Sequence, residues 1–298
     1  MEEDFTKSDL IKKRNIAFAS AVAAVFLTTF KLIIGLITGS LGILSEALHS
    51  GLDLIAAGIT YFAVKYSDKP ADESHNYGHG KIENYSALIE TILLFVTSIW
   101  IIYEAIKRLV TNKVEIEVTI WAFVVMITSI IVDITRSNAL SKAAKKYNSQ
   151  ALEADALHFS TDILSSSVVI IGLICASFNF YYADAVAGLI VSFIVMTVSY
   201  RLGKKSFDAL IDRAPSGLKE EVEEIVSEIP EVILSHDIKV RESGPYKFVD
   251  LNIHVSKTMT IDKAHEISHK VEKAITSRIK NVKVMVHAEP DNETEEKN

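Results

Sequence analysis

The sequence predicts an α-helical membrane domain of six transmembrane helices followed by a small cytosolic α+β domain of order αββαβ. Three observations predict it. Apolar residues, 49% of the 298, crowd into the first two hundred positions in six runs, each close to the twenty or so helical residues that cross a bilayer. Charge is concentrated in the remainder, where apolar residues recur at helix and strand spacing. Two of the apolar runs contain a His and an Asp four apart, a costly pairing at the centre of a membrane.

The spans are expected at Ile16–Ile37, Leu41–Lys65, Tyr85–Leu109, Val118–Leu140, Ala154–Ala176 and Ala183–Tyr200. Lys12, Lys13 and Arg14 precede the first run, which is longer than a signal-peptide core and is read as an uncleaved span. Thr38-Gly39-Ser40 is short enough to fold the first two spans into an antiparallel hairpin. Basic residues gather on one side: Lys12 to Arg14, then Lys65, Lys69 and Lys81, then Arg136, Lys142, Lys145 and Lys146, then Arg201, Lys204, Lys205 and Arg213. The other side has Lys107, Arg108 and Lys113, with Glu115 and Glu117 nearby. That asymmetry puts both termini in the cytoplasm of a multi-pass protein of the cell (inner) membrane. Trp121 and the Phe178–Tyr182 cluster are expected at the membrane interface.

The transmembrane domain is bounded at 1–205, a charged connector at 206–216, the soluble domain at 217–290 and a disordered acidic tail at 291–298. Within the soluble domain, Leu218–Ile229 has helical spacing and stops at Pro230. Val232–Arg241 and Tyr246–Val255 alternate as strands around Ser243-Gly244-Pro245. Ile261–Ile279 is an amphipathic helix, and Val282–Ala288 alternates as a last strand. A formal net charge of −7, with no basic stripe interleaved by aromatics, excludes a nucleic-acid surface. One cysteine, Cys175, excludes a disulfide framework.

The chemistry lies in Ser45-Glu-Ala-Leu-His49-Ser-Gly-Leu-Asp53 and Ala156-Leu-His158-Phe-Ser-Thr-Asp162. On a helix, residues four apart share a face, so each run offers an imidazole one turn from a carboxylate. His49, Asp53, His158 and Asp162, brought together from helices two and five, make a closed four-ligand shell of the kind zinc prefers. The expected cargo is therefore a divalent metal. Lys31, Glu46, Glu90, Asp133 and Asp184 are further polar groups within the spans, read as members of an ion path or as interhelical pairs. With three spans on each side, any internal repeat would be inverted.

Two more places carry ligand types. The loop Asp72-Glu-Ser-His75-Asn-Tyr-Gly-His79-Gly-Lys81 sets an acid and two histidines within eight residues, with glycines that let it fold tightly. The soluble domain has His236, His254, His265, His269 and His287; His287 and Glu289 lie two apart on a strand and share a face.

Six spans, H-x3-D in spans two and five, the P-A-D-x-x-H-x-x-G-H-G-K loop and an αββαβ tail together resemble the cation diffusion facilitator family. The resemblance covers nearly the whole chain. It implies proton-coupled export of a divalent metal from the cytoplasm by a homodimer, and no enzymatic activity. It matches His49, Asp53, His158 and Asp162 to the transport site, and Asp72, His75 and His79 to a loop site. It also matches His236, His265, His287 and Glu289 to the tail's metal sites, and Lys81 with Asp212 to a charge pair near the dimer contact. Asn252 stands where some members have a tail-site histidine, and Glu289 where some have Asp. Asn is a poor zinc ligand, and His254 lies two residues on, facing the same way. His rather than Asp at position 49 is associated in the family with zinc over cadmium. Zn2+ is thus expected as cargo and as a structural or regulatory ion, with Fe2+, Co2+ and Mn2+ as alternatives.

Two other classes compete. An intramembrane metalloenzyme would keep an open metal position beside a base, and no H-E-x-x-H is present. A membrane metal sensor would need the soluble domain but not an intramembrane quartet.

Overall fold

The computed structural model of the protein describes residues 6–39, 41–111, 120–177 and 183–291. Lys113, Glu115, Glu117, the Phe178–Tyr182 cluster and residues 292–298 lie outside the described residues, as do the side chains of Asp184 and Cys175. Two compact units emerge: Leu10–Phe207 forms one, and the polypeptide from Asp208 onward belongs to the other.

The first unit is built from six long helices: α1 (Lys7–Thr38), α2 (Leu41–Ser67), α3 (Lys81–Thr111), α4 (Ile120–Tyr147), α5 (Gln150–Ser177) and α6 (Ala183–Leu210). Among the described residues, stretches of α1 to α4 are long and apolar enough to cross a membrane. The helices overrun the expected spans on the side rich in Lys and Arg, α4 to Tyr147 and α6 to Leu210. Hydropathy reports only the length that sits in lipid. Ala- and Lys-rich continuations such as Ser141–Tyr147 keep helical hydrogen bonding beyond it.

The α4–α5 corner is specified locally. Asn148 takes φ 48, the left-handed conformation that ends many helices, and the Ser149 N–H then donates back to the Ala144 carbonyl (3.0 Å). Ser149 next caps α5, its Oγ accepting from the Leu152 N–H at 3.4 Å. At the α1–α2 hairpin, a Cβ on Gly35 would meet the Leu44 side chain at 2.8 Å, so glycine sets the close approach of these helices.

Polarity in this unit is inverted relative to a protein folded in water. Phe18, Val22, Phe26, Ile33, Ile92 and Phe193 are exposed, whereas Ser20, Lys31, Asp53, Glu90, Asp133, Arg136, Asp155 and His158 are buried. That is the expected pattern when the surrounding solvent is lipid. Two residues counted above as basic flanks are interior. Lys13 is fully buried against Asp68 (2.9 Å) and Glu83. Arg136 stacks on the Phe159 ring at 3.4 Å and reaches Ser20 and Asp133, each at 3.3 Å.

The second unit orders α7 (Leu218–Ser227), β1 (Leu234–Ser243), β2 (Tyr246–Val255), α8 (Ile261–Arg278) and β3 (Val282–Pro290). The sheet runs β1-β2-β3, with β1 antiparallel and β3 parallel to β2. Ser243 pairs with Tyr246, leaving Gly244-Pro245 as a two-residue turn. Gly244 takes φ 57, which glycine tolerates at the first central position of such hairpins. β1 starts two residues after the sequence expectation because Val232 belongs to the turn after α7, its N–H donating to the Ile229 carbonyl (3.1 Å), and the register slips between His236 and Lys239, where Asp237 takes φ 52. Leu251, Ile253 and Val255 on β2 join Ile238 and Val240 on β1 in a core closed by Val222, Ile225 and Val226 of α7 and Ile267, Val271 and Ile275 of α8. Side chains alternate along a strand, so His254, His287 and Glu289 lie on the opposite face. Asp291, expected to open a disordered tail, prolongs the sheet instead: its N–H donates to the Val255 carbonyl (2.8 Å).

Candidate metal centre

α2 and α5 each present their His–Asp pair inward. His158 Nε2 is 3.0 Å from Asp53 Oδ1 and 3.8 Å from Asp162 Oδ2. His49 Nε2 is 3.7 Å from Asp162 Oδ1 and 4.0 Å from Asp53 Oδ1. The four side chains therefore form a ring in which imidazole and carboxylate alternate, each helix supplying one of each. His49, Asp53 and Asp162 each offer a donor atom within 4.8 Å of the other two. Three of the four, His49, Asp53 and Asp162, line a cavity of about 340 Å³ together with Lys31, Glu46, Glu104, Asp133 and Ser165. The His49 side chain is 42% exposed towards it, that of His158 only 7%.

Among the other polar residues within the spans, Lys31 bonds Ser50 Oγ (2.8 Å) and Glu46 Oε2 (3.3 Å). Glu90 accepts from Thr60 and from Ser86 (3.2 Å). The sequence reading missed Asp155, fully buried one turn before His158 and bonded by Ser20 Oγ (3.2 Å). A second acid at helical spacing from His158 was the available signal.

The α2–α3 loop brings its three expected residues together. Asp72 Oδ1 accepts the backbone N–H groups of His75 (2.7 Å) and Ser74 (2.9 Å) and touches His75 Nδ1 (3.2 Å); its Oδ2 stands 3.3 Å from His79 Nε2. The His75 N–H is the chief cause holding the Asp72 carboxyl below the usual carboxylate range. His79 Nδ1 lies 3.2 Å from the Pro70 carbonyl, a contact that makes Nδ1 the donor and leaves Nε2 free to ligate.

In the soluble domain the grouping departs from the resemblance. His236, His254 and Glu289 converge: the two Nε2 atoms are 3.1 Å apart, and Glu289 Oε2 is 3.6 Å from the first and 3.5 Å from the second. Asn252 does not face this group as a ligand; its Nδ2 donates to Glu289 Oε1 (2.9 Å). Asp291 Oδ1 stands 3.3 Å from His254 Nδ1, where a supporting carboxylate would be placed. His287 touches Glu289 Oε1 at 3.5 Å, while His265 pairs with His269 on α8, their Nε2 atoms 3.1 Å apart. Of the matched charge pair, Lys81 opens α3, and Asp212 takes φ 59 and faces Arg241 Nη1 at 3.5 Å.

Comparison with known proteins agrees with this architecture. Residues 17–211 match the family model described as the cation efflux transmembrane domain, and residues 214–291 match that of the cation efflux protein, cytoplasmic domain. A cation-efflux pump FieF of Yersinia enterocolitica is 29% identical over 279 residues, covering 91% of this chain and 92% of its own. An uncharacterised transporter of Methanocaldococcus jannaschii is 34% identical over 271 residues, covering 91% and 95%. The metal-bound C-terminal domain of the CzcD transporter from Thermotoga maritima is 25% identical over 26% of this chain and 92% of its own, with a TM-score of 0.25. The chain belongs to the cation diffusion facilitator (cation efflux) family and is a membrane cation-efflux transporter, not an enzyme.

Proposed function

We propose that the chain exports a divalent transition metal, first of all Zn2+, from the cytoplasm in exchange for protons, and that His49, Asp53, His158 and Asp162 hold the ion in transit. The closed ring of alternating donors carries this reading. A tetrahedral zinc shell with ligand distances near 2.0 Å has edges of about 3.3 Å. His49, Asp53 and Asp162 each offer one atom within 4.8 Å of the other two, and His158 Nε2 stands 3.0 Å from Asp53 Oδ1; the two Asp162 oxygens face different imidazoles, so closing all four on one ion requires that carboxylate to turn. Zinc binds neutral imidazole and ionised carboxylate, so metal and protons exclude one another there. The same shell accepts Co2+, Fe2+ and Mn2+, which rank behind zinc on its imidazole share and small size.

With both termini cytoplasmic, the start of α2 and the end of α3 lie on the outer side. Glu46 and Glu104 line the cavity there, so the ring communicates outward in this state. Asp72, His75 and His79 take a second Zn2+. His236, His254 and Glu289 take a third, with His287 and His265 as donors for neighbouring or dimer-shared positions. Zinc filling the soluble domains of a homodimer, with Lys81 and Asp212 paired near the contact, biases the membrane halves.

The test is zinc flux in sealed proteoliposomes. Losing one ligand strands the others as unpaired polar groups in a dry place, so Asp53→Ala or Asp162→Ala abolishes flux while the protein stays folded. Near-parental transport by either variant would overturn the assignment. The same vesicles loaded against a panel of metals rank the cargo.

A further inference from the structure

Lys31 on α1 is 4% exposed and lines the same cavity as the ring. Its Nζ donates to Ser50 Oγ (2.8 Å) and Glu46 Oε2 (3.3 Å). Glu46, Ser50 and Asp53 are positions i, i+4 and i+7 of α2 and form one stripe along that helix. The next acceptor beyond Ser50 on the stripe is therefore Asp53, a member of the ring, about 4.5 Å further along the helix axis. A lysine stem has four rotatable methylenes and a point charge with three donors, so its head can move that far without backbone movement.

The charge around the cavity makes such a cation consequential. Asp53, Asp133, Asp162, Glu46 and Glu104 all line it, and among the described lining residues Lys31 is the only Lys or Arg. Arg136 pairs with Asp133 at 3.3 Å from α4. When a divalent ion leaves, the carboxylates lose two positive charges in a poorly solvated place. When one arrives, it meets an ammonium already held nearby.

We propose that Lys31 is a tethered counter-cation of the metal ring. It is parked on Glu46 and Ser50 in this structure, moves onto Asp53 as the ion departs, and is driven back as the next ion binds. It thereby weakens the grip of the ring and speeds release, which a carrier needs more than tight binding. The proposal rests on the ring being the transport site.

A merely structural role, tying α1 to α2, predicts something different, so the test turns on sign. In Zn2+ efflux by full-length protein in proteoliposomes, Lys31→Met lowers KM roughly threefold to tenfold, because removing a nearby like charge favours the ion. It also lowers Vmax, because release slows. Lys31→Arg keeps the charge and returns KM towards the parental value. Glu46→Gln raises KM more in the parent, where the freed ammonium can lean on Asp53, than in the Lys31→Met background, where only the loss of the Glu46 charge acts. A tie between helices would instead lose thermal stability in both single variants without opposite shifts in KM. An unchanged or raised KM in folded Lys31→Met overturns the proposal. Should Lys31→Met fail to fold, Lys31→Gln, which keeps a donor towards Ser50 without the charge, decides: a lowered KM supports the counter-cation, and an unchanged or raised one overturns it. Asp162→Ala separates the two ideas, since normal transport by that variant would show the ring reading itself to be wrong, whatever Lys31 does.

Discussion

In the loop between α2 and α3, one carboxylate both shapes the backbone and offers a metal ligand. Asp72 accepts from the His75 and Ser74 N–H groups, and the first of these is the main reason its pKa is lowered. A group depressed in the folded state contributes stability above its unfolded pKa, about 3.9 for Asp, and loses it as pH falls through the lowered value. From pH 7 to 5 that contribution is fully present. Protection from hydrogen exchange at the His75 and Ser74 amides should therefore be the same at pH 7 and pH 5 in metal-free protein; loss of protection over that window would show that Asp72 does not order the loop. In the soluble domain, Asp291 supports His254. Asp291→Asn should weaken zinc there by about 10–100-fold, the usual effect of removing a supporting carboxylate. His269→Asn should leave that affinity unchanged, both read by calorimetric titration of full-length protein already carrying Asp72→Ala and Asp162→Ala. These residues also mark how far single positions were legible. His254 was visible from strand parity with Asn252, whereas Asp291 sat in a polar end that composition alone reads as disorder, and only its bond to Val255 places it in the sheet.

Among the helices, the ends are tied by polar groups that hydropathy cannot see. Lys13 on α1 reaches Asp68 just after α2 and Glu83 in the first turn of α3. Glu83 also accepts from Ser67 Oγ (2.9 Å) and from Ser149 Oγ, which lies at the start of α5. Four helices thus meet on one buried carboxylate. Removing one partner of such a group leaves an uncompensated buried charge, which costs about 3–5 kcal/mol. Lys13→Met should therefore lower the melting temperature of the purified protein by several degrees or more. A melting temperature within a degree of the parent would mean that the cluster is solvated in the membrane. The six helices themselves were readable because each holds a long apolar run, and the tail elements because their periodicities switch cleanly between helix and strand. Helix ends were not. The continuation of α4 to Tyr147 depends on helix propensity and on the Asn148 corner, neither of which changes mean hydropathy. Nor does alternation announce the register slip in β1 between His236 and Lys239.

At the scale of the whole molecule, a transporter must expose one site to two compartments in turn, and the chemistry of that site decides what drives the cycle. His49, Asp53 and Asp162 line the cavity, His49 the most exposed of them, while His158 is buried. On the proposed exchange, protons from a more acidic exterior would compete with the metal for the His49 imidazole. On the same proposal, the site would give up protons on the cytoplasmic side as zinc binds. An inward proton gradient should therefore speed zinc efflux, and apparent zinc affinity should weaken as pH falls. His49→Asp replaces a neutral ligand with an anionic one and should change both the pH at which affinity falls and the number of protons moved per zinc. Proteoliposomes carrying a zinc reporter and a pH reporter test this for the parent and for His49→Asp. Zinc movement that neither shifts lumenal pH nor responds to an imposed gradient would make the protein a uniporter and would remove protons from the mechanism.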